Sequence, residues 1–190
     1  MSKQPVNLSW FDHLWDYSPK HWLLQLSSSV ESIANFGCYS SEPFVLMWTL
    51  DATEVKVIEK EEKNLSNLDT GPKEQLEYLN RNLPSALEGR SIEFITKDMS
   101  ERVDELLSNH FDLAFCERVL YFSLPDWQKV QNAINEMARV VKPGGLVIAV
   151  EPKKDETGNL IDFHPLFARA GLIEEYLEGS PGKAYCYKKP

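Results

Sequence analysis

Ser32-Ile33-Ala34-Asn35-Phe36-Gly37-Cys38-Tyr39-Ser40-Ser41-Glu42-Pro43, an apolar run to Leu50, and then Val55-Lys56-Val57-Ile58-Glu59 decide the fold of this chain. Residues 33–36 are short and apolar, as a strand is. Gly37 turns the chain, because a residue without Cβ takes positive φ or lets a ligand come close. Glu42-Pro43 opens a helix carrying Phe44, Leu46, Met47, Trp48 and Leu50; proline at the first turn gives up only an amide hydrogen that has no helical partner there. Residues 55–58 read as the next strand, with Glu59 at its carboxyl end. A strand–helix–strand unit crosses over right-handed, so the two strands lie parallel and side by side. An acid about 20 residues past a glycine turn is where nucleotide-binding sheets hold a ribose.

The rest of the chain reads as the remainder of such a sheet. Charged residues follow Glu59, with Leu65 and Leu68 as the anchors, then a turn at Asp69-Thr70-Gly71-Pro72. A helix is expected over residues 73–87, perturbed near Pro84, and a third strand over 92–96. Asp98 with Glu101 three residues on makes a capping-box pattern, which predicts a helix running to Leu107. Residues 111–116 form an apolar fourth strand, as expected where both faces of a sheet are covered. Pro125 opens a helix in which Trp127, Val130, Ile134, Met137 and Val141 recur at steps of three and four. Lys142-Pro143-Gly144-Gly145 stops it, and residues 146–150 form the fifth strand. A helix over 164–170 ends at Gly171, a left-handed cap. Residues 173–177 and 184–187 flank a Gly179-Ser180-Pro181-Gly182 turn and read as a closing antiparallel hairpin. The class is α/β, with helices on both faces and an antiparallel pair at one edge.

Composition narrows the function. A length of 190 residues suits one domain with at most a short extension. The net charge of -9 comes with no basic stripe, which argues against a nucleic-acid partner bound through its phosphates. No apolar run approaches membrane-spanning length, and Met1 to Asn7 carry no apolar signal core, so no membrane role is expected. Cys38, Cys116 and Cys186 are odd in number and far apart, as reduced thiols of a cytoplasmic protein are. His13, His21, His110 and His164 show no ligand spacing, and no metal is expected. Oligomeric state is not written in any of this.

Residues 1–29 read as a helical extension. Ser9 caps a turn with Trp10, Phe11, Leu14 and Trp15, and Ser18-Pro19 opens a second turn over residues 20–26. These aromatics serve either as an amphipathic face packed on the sheet or as a lid and acceptor wall, with Trp10 and Trp15 touching substrate.

Three motifs carry a resemblance. Phe36-Gly37-Cys38-Tyr39-Ser40-Ser41-Glu42-Pro43-Phe44, the segment from Phe111 through Glu117 and Arg118 to Phe122, and Val141-Lys142-Pro143-Gly144-Gly145-Leu146 are together similar to the class I S-adenosylmethionine-dependent methyltransferases. Within that superfamily they look most like the CheR-type catalytic domain. The likeness covers roughly residues 30–190, and Tyr39, Ser40 and Ser41 stand where most class I loops carry further glycines. It implies a Rossmann-like, seven-stranded, mostly parallel sheet with an antiparallel seventh strand beside the fifth. It also implies S-adenosylmethionine as cofactor and a small-molecule or protein methyl acceptor.

By that resemblance, Phe36, Gly37 and Cys38 approach the methionine part of the cofactor and Glu42 lies near its ammonium group. Glu59, with Lys60 beside it, takes the ribose hydroxyls. Asp98 accepts from the adenine amine under Met99. Cys116 and Glu117 border the methyl-transfer position, with Arg118 and Tyr121 beyond them toward the acceptor. No catalytic residue is singled out, although Glu117 or Tyr121 stands where an acceptor proton could be taken. Each role has a plainer competitor. Gly37 also serves as a bare turn, and Glu59 as one charge in a solvated run. Asp98 serves equally as a helix cap and Cys116 as a small buried hydrophobe; Glu117 and Arg118 also suit a surface ion pair. Beside the transferase stand two other readings. One is a methyltransferase-like binding protein without catalysis. The other is a dinucleotide-dependent oxidoreductase, against which the single glycine and the Lys142-Pro143-Gly144-Gly145 turn both speak.

Overall fold

The computed structural model describes residues 21–26, 29–38, 42–66, 71–124, 126–178, 180 and 184–190. The expected turns with Trp10 and Trp15, residues 39–41 of the glycine loop, and most of the tip of the closing hairpin lie outside them. Five parallel strands form the centre of the sheet: β1 (Ser32–Phe36), β2 (Glu54–Glu59), β3 (Ser91–Thr96), β4 (Phe111–Glu117) and β5 (Val141–Val150). With β6 (Ile173–Glu174) and β7 (Ala184–Lys188) the order is β3-β2-β1-β4-β5-β7-β6. β7 runs antiparallel beside β5, and β6 pairs antiparallel on its outer side.

Strand periodicity divides the core cleanly. Side chains alternate across a sheet with period two, and Ala34, Phe36, Ala114, Cys116, Val147 and Ala149 all fall in one buried cluster. Their neighbours Ile33, Val57, Leu113, Phe115, Ile148 and Val150 fall in the other. Helices α4 (Trp127–Val140) and α5 (His164–Arg169) cover the first face. A 3₁₀ turn, His21–Leu26, and α1 (Glu42–Thr49) cover the second, each burying two or more apolar side chains there. The seven-stranded architecture expected from the motifs is the one observed.

The helices match their signals with instructive exceptions. In α4 the Asp126 side chain accepts the Lys129 amide at 2.8 Å, a cap that satisfies one free donor of the first turn. Val130, Ile134 and Met137 form its buried stripe, whereas Trp127 stays half exposed and leans on Phe163, ring centres 5.6 Å apart. The helix expected over 73–87 is α3 (Pro72–Asn82), followed by a separate 3₁₀ turn, Pro84–Leu87, because proline cannot continue the amide ladder. A single-turn helix, α2 (Glu62–Leu65), forms in the charged run and is anchored by wholly buried Leu65. β5 begins at Val141, directly after α4, so the Lys142-Pro143-Gly144-Gly145 turn lies inside a strand with a register shift opposite residues 111–113. Gly145 is required there: a Cβ would stand 2.7 Å from the Asp112 carbonyl.

The helix expected from Asp98 to Leu107 is not formed; the segment is a series of turns. The capping-box pattern loses to tertiary bonds. Glu136 accepts the Val103 amide at 2.9 Å, and Arg139 donates to the Val103 and Leu106 carbonyls at 3.1 and 3.0 Å. Glu136 and Arg139 also pair with each other through two bonds, at 2.7 and 2.5 Å. Backbone groups that a helix would have paired internally are satisfied by α4 instead, while Val103 and Leu106 bury their side chains.

Candidate active site

Sheet order reverses between β1 and β4, and open α/β sheets bind ligands beyond the carboxyl ends of the strands at such a point. The glycine turn lies there. The Gly37 amide donates to the Ile58 carbonyl at 2.7 Å, which ties the turn to β2. Gly37 has φ +70, and a Cβ on it would stand 2.4 Å from Cγ2 of Val119, a residue of the segment that follows β4. Any side chain at this position is excluded twice, by backbone conformation and by that contact.

Glu59 joins the turn to α2. Its Oε2 accepts the Cys38 amide at 3.2 Å, and its Oε1 accepts the Glu61 amide at 3.1 Å and the Asn64 side chain at 3.0 Å. It is therefore not one more charge in a solvated run. A carboxylate offers about four acceptor sites, so one on Oε2 remains open.

Asn35, which sequence reading passed over, is wholly buried in β1. Its Nδ2 donates to Glu42 Oε1 at 2.7 Å and to the Gly37 carbonyl at 3.2 Å, and its Oδ1 has no protein partner. These two acceptors, with the Phe115 carbonyl at 3.5 Å, set the amide orientation. Glu42 is itself almost entirely buried. A polar residue in the middle of an apolar strand was the available signal.

Asp98 stands beyond β3. Its Oδ1 accepts the Ser100 amide and hydroxyl at 2.9 and 2.7 Å, while Oδ2 faces Lys60 at 3.3 Å and Lys129 of α4 at 3.6 Å. Burial alone would raise this carboxyl; Ser100 and the Lys60 ammonium outweigh it and hold the group at about 2. Met99 is buried in the core beside it.

At the end of β4, Cys116 is wholly buried among apolar groups. Burial pushes its thiol far up, and the charges of Glu151, Glu42 and Glu117 add to the rise. The side chain is an inert small hydrophobe. Glu117 is half-buried and Arg118 exposed with φ +57. Tyr121 is half-buried and meets Phe122 edge-on, ring centres 4.9 Å apart.

Glu151, the first residue after β5, was also passed over. It has no exposed surface and accepts three successive amides: Val119 and Leu120 on Oε1, both at 2.9 Å, and Tyr121 on Oε2 at 3.3 Å. Burial pushes its carboxyl up to about 7 against the pull of those amides, with the Glu117 charge adding to the rise. The signal for it was the one that flagged Glu59, an acid closing an apolar strand.

The structure thus gathers Phe36, Gly37, Cys38, Glu42, Glu59, Lys60, Asp98, Met99, Cys116 and Glu117 along the carboxyl ends of β1 to β4, with Arg118 and Tyr121 just beyond. Trp10 and Trp15 lie outside the described residues. Among the described residues, no helix is long and apolar enough to cross a membrane. Nor does any group of three or more His, Cys, Asp or Glu side chains there form a candidate metal site. Such an edge, rich in carboxylates and backbone acceptors, is suited to a ligand carrying hydroxyls, amines or positive charge.

A family model described as a methyltransferase domain matches residues 52–149. No curated relative matches the sequence. Among solved structures, the chain is similar to the N-methyltransferase NodS from Bradyrhizobium japonicum WM9, a complex with S-adenosyl-L-homocysteine. The TM-score is 0.58 at 20% identity, over 90% of this chain and 84% of that one. A Methanosarcina mazei S-adenosylmethionine-dependent methyltransferase gives 0.62 at 17% identity, over 92% and 99%. Streptomyces venezuelae DesVI gives 0.61 at 13% identity, over 100% of both chains.

Proposed function

The chain belongs to the methyltransferase domain family, and on that premise we propose that it transfers the methyl group of S-adenosylmethionine to a small-molecule or protein acceptor by in-line displacement. The observation that carries this reading is Glu59, a carboxylate at the end of β2 bonded to the Cys38 amide of the glycine turn. On this reading, that bond ties the residue that takes the ribose to the turn that approaches the methionine part.

When bound, the cofactor supplies a methyl already activated by the sulfonium charge. The chain's own residues bind, align and exclude water. Glu59 offers its open Oε2 site to a ribose hydroxyl, and a grip on both hydroxyls requires Asn64 or Glu61 to yield Oε1. Phe36, Gly37 and Cys38 approach the methionine part through their backbone, with Glu42 and the unpaired Asn35 Oδ1 near its ammonium group. Asp98, kept ionised beside Lys60, accepts from the adenine amine, and Met99 underlies it. Backbone atoms of Cys116 and Glu117 border the reacting position. Tyr121, Arg118 and the aromatic segment with Trp10 and Trp15, as a lid over residues 30–190, face the acceptor. Glu117 or Tyr121 takes a proton if the acceptor must lose one. Within the superfamily we place the glycine turn nearest the CheR type. That Cys38, Cys116 and Cys186 form no disulfide fits a cytoplasmic setting.

A second reading, a methyltransferase-like binding protein without catalysis, is favoured by Tyr39, Ser40 and Ser41 in place of further glycines. Calorimetric titration with S-adenosylhomocysteine, S-adenosylmethionine and NAD separates the readings. Both adenosyl ligands are expected to bind and NAD is not; failure of both at millimolar concentration sinks the transferase. Glu59→Ala is expected to weaken S-adenosylhomocysteine about 10- to 100-fold, the loss of one or two bonds to a charged acceptor. Unchanged affinity in that variant would refute the ribose assignment.

A further inference from the structure

Glu151 enters none of the roles above, yet it is the most completely buried acid beside the crevice and its partners are all backbone. The segment it holds leaves β4 through Arg118, whose amide donates to the Val150 carbonyl at 2.9 Å and whose φ is +57. The next three amides turn together onto the Glu151 carboxylate. The first of these residues, Val119, presses its side chain against the Cα of Gly37, 2.4 Å from where a Cβ would stand. A continuous line of contact therefore runs from a carboxylate after β5, through residues 119–121, to the glycine turn after β1.

The geometry points to Glu151 as a positioning residue of the cofactor crevice: its ionised carboxylate holds residues 119–121 against the glycine turn, and its protonation releases them. This rests on the methyltransferase reading for what the crevice binds. Three donors converge on two oxygens, which a carboxylate satisfies. A neutral carboxyl keeps a proton on one oxygen, and that oxygen is a poor acceptor, so at least one of the amides is deserted while the carboxyl itself stays buried; this local release is separate from the stability that the same proton adds to the whole fold. The titratable groups facing it are Glu117 and Cys116 from β4 and Tyr185 from β7. Its carboxyl lies at about 7, so the exchange between the two states spans neutral pH.

The test follows amide hydrogen exchange at residues 119–121 of the ligand-free full chain from pH 5.5 to 8.5, corrected for intrinsic exchange. Protection of the Val119 and Leu120 amides is expected to fall about tenfold on acidification from pH 8 to pH 6. In Glu151→Gln, which keeps an acceptor oxygen and cannot titrate, protection is expected to stay level. Affinity for S-adenosylhomocysteine should fall at least threefold over the same interval in the parent and less than twofold in Glu151→Gln. Val119→Ala, which keeps the three amides and loses the press on Gly37, should retain the exchange titration and lose the pH dependence of affinity. Protection independent of pH in the parent overturns the proposal, whether or not the variants fold. A parent that titrates in exchange but binds S-adenosylhomocysteine at no pH overturns the methyltransferase reading instead.

Discussion

Asp98 beyond β3 and Glu151 beyond β5 are the same device in two settings. Each is a carboxylate at a strand end that accepts backbone amides of a turn. Asp98 is partly exposed and has Lys60 and Lys129 within ion-pair distance. Glu151 has no exposed surface and, among the described residues, no ion pair. Burial raises both carboxyls, but the Ser100 hydroxyl and amide, with the Lys60 ammonium, carry Asp98 down to about 2 while Glu151 rises to about 7. Backbone amides alone do not offset full desolvation; partial exposure, a hydroxyl donor and a nearby cation together reverse the sign at Asp98. One end of the crevice therefore carries a permanent charge and the other a charge that comes and goes near neutrality.

The widest gap between the two should appear on deletion. Glu151→Ala abandons three amides, one of them on buried Leu120, and is expected to cost about 3 kcal/mol in urea unfolding at pH 6. Asp98→Ala, which frees one backbone amide rather than three, is expected to cost about 1 kcal/mol. The reverse order would break the comparison.

A comparable effect follows from pH. Glu151 has a folded pKa above its ordinary value of 4.5. Its contribution to stability is thus fully present below 4.5 and is lost as pH rises through about 7, in total about 3 kcal/mol. Asp98 is lowered from 3.8, so its contribution is present above 3.8 and is lost as pH falls through about 2. The two windows do not overlap. Glu151→Gln should flatten the decline between pH 4.5 and 7 in chemical denaturation and leave the acid limb unchanged. A parent profile that is flat in that interval would show that the two acids do not differ.

The smallest effect sharpens the cause. Lys60 and Lys129 keep about half and a third of their side chains exposed, so either one replaced by alanine should cost less than about 0.5 kcal/mol. Even so, the double replacement should raise the Asp98 carboxyl measurably in a carbon-13 NMR titration. A carboxyl that stays at about 2 would assign its depression to Ser100 alone.

The same contrast marks how far the sequence could be read. Residues 33–36, 55–58 and 111–116 were legible as strands because their apolar runs are local facts, and the parallel pairing of the first two followed from the crossover between them. Glu59 was legible because its place at a strand end is counted along the chain. The Asp98–Glu101 capping pattern misled because its competitors, Glu136 and Arg139, sit more than thirty residues downstream. Asn35 and Glu151 went unread for a related reason: what makes them more than isolated polar residues is the amide or carboxylate they meet, and those partners come from other elements.

Sequence alone determined the α/β class, the glycine turn between β1 and α1, the acid at the end of β2, and the likeness to methyltransferases. These depend on period, spacing and residue type, which are properties of short stretches. Tertiary structure decided that residues 99–107 are turns, that the Cys116 thiol is inert, and that Glu151 is an acid drawn toward neutral pKa. Each of those outcomes is a balance between desolvation and partners brought together from distant parts of the chain, and only folding sets that balance.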